Sequence, residues 1–322
     1  SLPTRRSRVR PPLPAPIIVI KSKFITNFFQ KYISGLDIRH FKKKFSYYLI
    51  FRILRNFLIH DIVLQIYNFK IFGSISKNKT SYFLLKKCEF GDYHELNTIK
   101  KISNKNKILF IDCGCNYGFY SLFSASLSDK NLIYSIEASK KTYFEFLRNI
   151  NLNKFQNIKF ENRAISNLDN EVITFNESEN DWESSQSHSD FNLSSISKVN
   201  TLTIDTLVEK INIKNYNIII KLDIEGAEMK ALEGAFKLVE STSPLIIMEF
   251  SKYIFGNQSK VTFFKNFLKK FDYSIYDTNC NKINLDKIMI KLDNLSKRHK
   301  TIGNLYLIKN SSNILKLFLE NE

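Results

Sequence analysis

The sequence predicts an α/β protein built on an open sheet, and three observations predict it. From residue 108 onward short apolar runs alternate with helical segments. Those runs are nearly continuous in Ile, Leu and Phe, as in strands covered by helices on both faces. The chain has 322 residues and 43% hydrophobic content, enough for one large core with a smaller appendage.

The strands read, in order, "KILFIDC", "NLIYSIEAS", "NIKFENRAI", "YNIIIKLDIEG", "PLIIMEF" and "GNLYLIK", with helices expected over 117–128, 139–152, 226–240 and 261–270. Ahead of them, residues 72–107 read as short strands around the turn "SKNKT", followed by a helix around "DYHELNTIKKIS". The expected organisation is a leader over 1–16, a basic extension over 17–107 and a catalytic-size domain over 108–322. The opening "SLPTRRSRVRPPLPAP" begins with a stretch resembling a translated sequencing-adapter scar and is set aside as a non-native or disordered leader.

Charge divides the chain in the same place. Residues 1–107 carry 22 basic and 5 acidic side chains, whereas residues 108–322 carry 26 of each, so the whole net charge of +17 is N-terminal. A neutral domain behind a basic extension points to docking or tethering by the extension rather than to a globally polyanion-binding surface. Within residues 21–71, Phe41, Phe45, Tyr48, Leu49 and Ile53 recur at helical spacing, with Lys44, Arg52, Arg55 and Asn56 on another face. Two readings of this amphipathic helix stay open: a helix packed on the main domain, or one lying in the plane of an anionic membrane surface. Four scattered cysteines, Cys88, Cys113, Cys115 and Cys280, make neither a disulfide framework nor a zinc site, and no apolar run reaches the ~18–20 residues of a membrane span. A cytoplasmic location, with peripheral contact at the inner membrane face, is expected.

Ligands on such sheets bind outside the carboxyl ends of the strands, at the switch point in strand order. After Ile111 the stretch "DCGCNYGF" must turn sharply, with Gly114 letting backbone approach a ligand and Gly118 admitting the next helix. The spacing Gly114-x-x-x-Gly118 is not the three-glycine pattern of pyrophosphate binders, and Asp112 would repel phosphate but attract an amino group. Glu137 ends the second strand about twenty residues past the glycine turn, where a carboxylate can accept hydrogen bonds from two ribose hydroxyls. Together these favour S-adenosylmethionine. Cys113 and Cys115 read as small residues in a crowded loop.

In "IIIKLDIEGAEMKALEG", period-two alternation places Lys221, Asp223 and Glu225 on one strand face and Ile220, Leu222 and Ile224 on the other. Glu228, in the first turn of the next helix, reads as a cap. Carboxylates at an internal strand end are costly unless bound to something, so Asp223 and Glu225 read as functional.

The series "IDCGCNYGFYSL", "IEAS", "LRNINLN", "NRAIS", "TLTIDTL", "IKLDIEGAE" and "PLIIMEF", in that order, resembles the FkbM-type methyltransferases, S-adenosylmethionine-dependent O-methyltransferases of class I fold, over roughly residues 90–250. The resemblance implies a Rossmann-like class I sheet with an N-terminal helical and short-strand extension. It implies a cofactor site at Asp112, Cys113, Gly114, Asn116, Tyr117, Gly118, Glu137, Ala138, Arg163, Ala164 and Asp223. Cys115 stands where the family usually has Ala, and Ala138 where it has Pro; both are compatible in size. The implied chemistry is in-line displacement of a methyl group by a hydroxyl of a small molecule or glycan, with sugars favoured. Asp223, Glu225 and Glu249 are the candidate bases or hydroxyl binders, and spacing does not choose among them. Asp223 and Glu225 alone make only a partial Mg²⁺ site, so no metal is assigned. His188 falls in a polar loop, 176–197, read as a substrate lid or a mobile segment. A base-amino methyltransferase usually needs a proline-rich [DN]-P-P-aromatic loop, and Pro244 is the only proline after residue 16, so no nucleic-acid partner is expected. Two alternatives remain: another kind of nucleic-acid methyltransferase, and a non-catalytic nucleotide-binding membrane adaptor.

Overall fold

A computed structural model describes residues 17–19, 62–73, 92–178, 193–209, 211–295 and 301–320. The amphipathic stretch around Phe41–Ile53, the "SKNKT" turn, Cys88, His188 and the leader lie outside the described residues. The chain divides into two compact units, Ser1–Gly91 and Asp92–Glu322.

In the first unit, β1 (Ile17–Val19), β2 (Ile62–Ile66) and β3 (Phe69–Gly73) form an antiparallel sheet in that order. The C-terminal end of the aromatic and basic stretch is therefore a hairpin. Gln65 holds its turn by donating from Nε2 to the carbonyls of Tyr67 (3.1 Å) and Phe69 (3.0 Å), and Val63, Ile66, Phe69 and Ile71 are buried.

The second unit opens with α1 (Tyr93–Lys105) and then alternates strand and helix: β4 (Ile108–Cys113), α2 (Phe119–Leu127), β5 (Leu132–Ile136), α3 (Lys140–Asn153) and β6 (Ile158–Glu161). Next come β7 (Ala164–Ile165), the hairpin β8 (Val172–Ser178) and β9 (Leu193–Leu202), and α4 (Ile204–Glu209). Then follow β10 (Asn217–Leu222), α5 (Glu228–Glu233), α6 (Phe236–Thr242), β11 (Leu245–Ser251), α7 (Lys252–Phe255) and α8 (Gln258–Phe271). The unit closes with β12 (Tyr273–Tyr276), β13 (Lys282–Ile283), α9 (Leu285–Asp293), β14 (Thr301–Lys309) and α10 (Asn313–Leu319).

The main sheet runs β13-β12-β14-β11-β10-β4-β5-β6. Strands β6, β5, β4, β10 and β11 are parallel neighbours, and β14 is antiparallel to both β11 and β12. The first strand of the sheet, β4, thus lies near its middle: the chain winds outward through β5 and β6, then returns to start again at β10. That reversal opens a crevice between the carboxyl ends of β4 and β10.

Three expectations needed correction. The run "NIKFENRAI" is two strands in two sheets, because the chain breaks at Asn162 and Arg163 and β7 pairs with β9 instead. The helix expected over 226–240 is interrupted at Gly234, where a Cβ would overlap the Ser166 carbonyl oxygen. The run "YNIIIKLDIEG" leaves the sheet at Leu222, so Asp223 and Glu225 project from a turn and not from a strand face. For the buried part of β10 the alternation holds: Ile220 and Leu222 join the large apolar cluster, and Lys221 points to the opposite face.

Gly118 caps α2 at φ +82°, and a Cβ there would penetrate the ring of Phe146 on α3. Glycine is needed twice over, for its backbone angle and for the close helix packing that the sequence led one to expect. Gly118→Ala is expected to destabilise the protein by about 2–4 kcal/mol, seen as a lower urea midpoint at unchanged slope.

Candidate active site

A cleft opens at the switch point. Its walls are Gly114 and Asn116 from the turn after β4, Ile136, Glu137 and Ala138 from the end of β5, and Arg163, Ala164 and Ile165 around β7. Phe175 of β8 adds to them, and Asp223, Ile224, Glu225 and Ala227 close it from the turn after β10. Seven residues expected at a cofactor thus converge: Gly114, Asn116, Glu137, Ala138, Arg163, Ala164 and Asp223. Asp112, Cys113, Tyr117 and Gly118 stand off the wall. The first two are still inside fully buried β4, and the turn reaches the cleft only from Gly114. Tyr117 is buried, its carbonyl accepting a hydrogen bond from Asn149 Nδ2 at 3.0 Å.

The glycine turn is tied to β5 from both sides. Gly114 and Cys115 donate their amides to the Ile136 carbonyl (3.0 and 3.1 Å), and the Asn116 amide donates to Glu137 Oε2 (2.9 Å). Glu137 Oε1 accepts the Ser139 amide at 2.9 Å, ahead of α3. Each carboxylate oxygen can accept a second hydrogen bond, so this arrangement orients Glu137 without exhausting it. Burial pushes its carboxyl up to about 7. Gly114, at φ +76°, is required because a Cβ there would overlap the carbonyl oxygen of Asp223; the close approach is between the two switch-point turns. Burial raises the thiols of Cys113 and Cys115, so both stay protonated and serve as packing.

On the β10 side, the buried Lys221 ammonium donates to Asp223 Oδ2 at 2.7 Å, the lysine side chain being 3% exposed and the aspartate 40%. Lys221 also lies 4.7 Å from the centre of the Tyr120 ring and stands beside Asp112 in register. Tyr120 donates to Asp92 Oδ2 (2.7 Å), and Ser121 donates to Asp112 Oδ2 (2.6 Å). Asp112 therefore balances Lys221 inside the protein rather than facing the cleft. The turn itself is held by Glu228, whose two oxygens accept the amides of Ile224 (3.1 Å) and Gly226 (2.9 Å), and by Lys260 Nζ on the Gly226 carbonyl (3.0 Å). Glu228 thus caps the turn, and Glu225 sits there at φ +50°.

The three candidate catalytic carboxylates come together: Asp223, Glu225 and Glu249 each place an oxygen within 4.8 Å of the others. This is a hard donor set of the kind Mg²⁺ accepts, with one more ligand than Asp223 and Glu225 alone supply. Burial, and then the charge of Asp223, pushes Glu249 up to about 7. Sequence reasoning missed Lys221 as the buried counter-charge, and missed Phe175, although Ile173 and Phe175 alternate with polar Thr174 in a readable strand pattern.

Residues 112–275 match the family model described as the methyltransferase FkbM domain. The chain belongs to this family. Its fold is the Rossmann-like class I methyltransferase fold, and its cofactor is S-adenosylmethionine. Among solved structures, methyltransferase FkbM from Methylobacillus flagellatus KT is 19% identical with a TM-score of 0.38, over 70% of this chain and 52% of that one. The chain thus spans about half the length of that relative. A putative caffeoyl-CoA O-methyltransferase from Staphylococcus aureus is 14% identical, TM-score 0.40, over 89% of this chain and 98% of that one. M. jannaschii TYW2, solved in complex with AdoMet, is 14% identical, TM-score 0.39, over 77% and 84% respectively. No curated protein sequence matches the chain. Among the described residues, no helix is long and apolar enough to cross a membrane.

Glu95, Glu137, Glu228 and Glu249 are each raised to about 7, chiefly by burial, and Asp112 to about 6. A carboxyl whose folded pKa is raised binds protons more tightly folded than unfolded. Their contribution to stability is therefore fully present below about pH 4 and is lost as pH rises through about 6 to 7, by up to ~1.4 kcal/mol per pH unit per group. Urea unfolding at pH 5 and pH 7.5 should show the loss, and Glu228→Gln should reduce its slope.

Proposed function

We propose that the protein transfers a methyl group from S-adenosylmethionine to a hydroxyl of a small molecule or glycan, a sugar hydroxyl being the best fit. The observation that carries this reading is the carboxylate trio of Asp223, Glu225 and Glu249, gathered within 4.8 Å beside the cofactor cleft. Carboxylates accept hydrogen bonds from neighbouring hydroxyls, as a polyol offers, and repel the phosphates of a nucleic-acid backbone.

The cleft suits the cofactor by its donor set. Glu137 is oriented to accept ribose hydroxyls, and Ala138, Ala164, Ile165 and Phe175 offer an apolar wall. When bound, the cofactor supplies an activated methyl group on a sulfonium. The chain's own work is to orient the acceptor and remove one proton. Lys221 occupies Asp223 Oδ2 and fixes that carboxylate, leaving Oδ1 for an acceptor hydroxyl. Glu249, raised to about 7, is matched to take a proton near neutrality.

Methyl-labelled cofactor incubated with panels of glycans, lipids and RNA tests the reading; label entering RNA alone would overturn it. Glu137→Ala should weaken cofactor binding by about 2–4 kcal/mol in calorimetry, as expected when hydroxyls lose a charged acceptor. Asp223→Asn should lower turnover on the acceptor at least about tenfold while changing cofactor affinity by less than about threefold; equal losses would place Asp223 in the cofactor site alone.

A further inference from the structure

Helix α1 begins at an anomaly. Asp92 stands at its N-cap, where an aspartate ordinarily accepts an amide of the first turn, yet its side chain makes no capping bond. The carboxylate turns instead to α2 and accepts the Tyr120 hydroxyl on Oδ2 at 2.7 Å. Tyr120 is buried, its ring stacked on Phe110 and edge-on to Phe119. Burial, and then the charges of Asp92 and Glu95, hold the phenol well above its ordinary range, so it stays protonated and donates. Over that ring, 4.7 Å from its centre, lies the Lys221 ammonium, which donates to Asp223 Oδ2 at 2.7 Å.

These contacts make one line from the start of α1 to the cleft wall: Asp92, Tyr120, Lys221, Asp223. A lysine head is a point charge on a flexible stem with rotatable donors, so one ion pair with a 40% exposed aspartate does not fix it. The Tyr120 ring supplies a second contact, and Asp92 keeps the ring in place. Glu95, one turn further on the same face of α1, is buried and bonds Asn304, which lies opposite Glu249 in register. Helix α1 thus reaches toward two members of the carboxylate trio through side chains of other elements, and it precedes the residues that the family model covers.

We propose that Asp92 and Tyr120 are positioning residues for methyl transfer, holding the Lys221 ammonium on Asp223 Oδ2 so that the other oxygen of Asp223 is presented to the acceptor. The proposal rests on the reading of Asp223 as an acceptor carboxylate, but the tether itself is measurable without an acceptor. NMR of the full chain with isotope-labelled lysine Nζ reads it, because a hydrogen-bonded ammonium shielded from water exchanges its protons slowly. Tyr120→Leu identifies the Lys221 signal by removing the ring-current shift. Tyr120→Phe, which keeps the ring, and Asp92→Ala, which loses no capping bond, should each speed exchange of that signal at least about fivefold, the worth of one hydrogen bond. Asp92→Asn, whose amide oxygen still accepts the hydroxyl, should stay within about twofold of wild type. Melting temperature and S-adenosylmethionine affinity should not change, while kcat on the acceptor found by methyl labelling should fall at least about fivefold in the first two variants. Wild-type exchange in Tyr120→Phe or Asp92→Ala would overturn the proposal. So would an equal effect of Asp92→Asn, which would reduce Asp92 to a charge, and so would faster exchange with wild-type kcat, a lower melting temperature or lost cofactor affinity. Label entering RNA alone would overturn the acceptor reading and leave the measured tether standing.

Discussion

One buried ammonium holds the switch point together. Lys221 lies on the middle strand of the site, in register with Asp112 of β4 and Ile247 of β11, and donates to Asp223 where β10 ends. Burial by itself would push this ammonium down, but Asp223 and Asp112 more than reverse the effect and keep it charged. Around it stand Asp92 and Tyr120, joined by a 2.7 Å hydrogen bond, and Glu95 and Glu249, both of which feel its charge. Because Asp223 is 40% exposed, solvent screens this pair, and breaking it costs less than the about 3–5 kcal/mol of a fully buried pair but more than an exposed pair such as Lys265 with Asp286. The carboxylates gathered here are thus tolerable because one lysine is placed among them.

Around that charge the two turns of the crevice are built as one object. Gly114 lets the β4 turn lie against the Asp223 carbonyl, and Glu228 pins the amides of Ile224 and Gly226. Glu137 receives the amides of Asn116 and Ser139, fastening the same β4 turn to the start of α3. The wall of the cleft and the carboxylate cluster are therefore joined through the same two backbone turns.

Much of this was legible because it is local. The apolar runs of β4, β5, β10, β11 and β14 are long enough to declare strands, and Gly114, Gly118 and Glu137 occupy positions that follow from the ends of those strands. The hairpin of β8 and β9 was missed even though Thr174 alternates with Ile173 and Phe175, because the polar run over 176–197 reads as one continuous loop. Phe175 was lost with it.

By itself the sequence determined the class of fold, the glycine turn, the carboxylate that ends β5 and the charged segment after β10, since each is a residue type at a spacing along one stretch of chain. Only the tertiary structure decided which charges neutralise one another. Asp112 was expected to meet the cofactor and instead faces Lys221 in the interior, because strand register across β4 and β10 selects that neighbour. Glu249 joins Asp223 and Glu225 because β11 lies beside β10 in the sheet, and Ser197 lies beside Phe175 because two strands pair. Strand order and register bring together residues distant in the chain, and no short stretch of sequence encodes them.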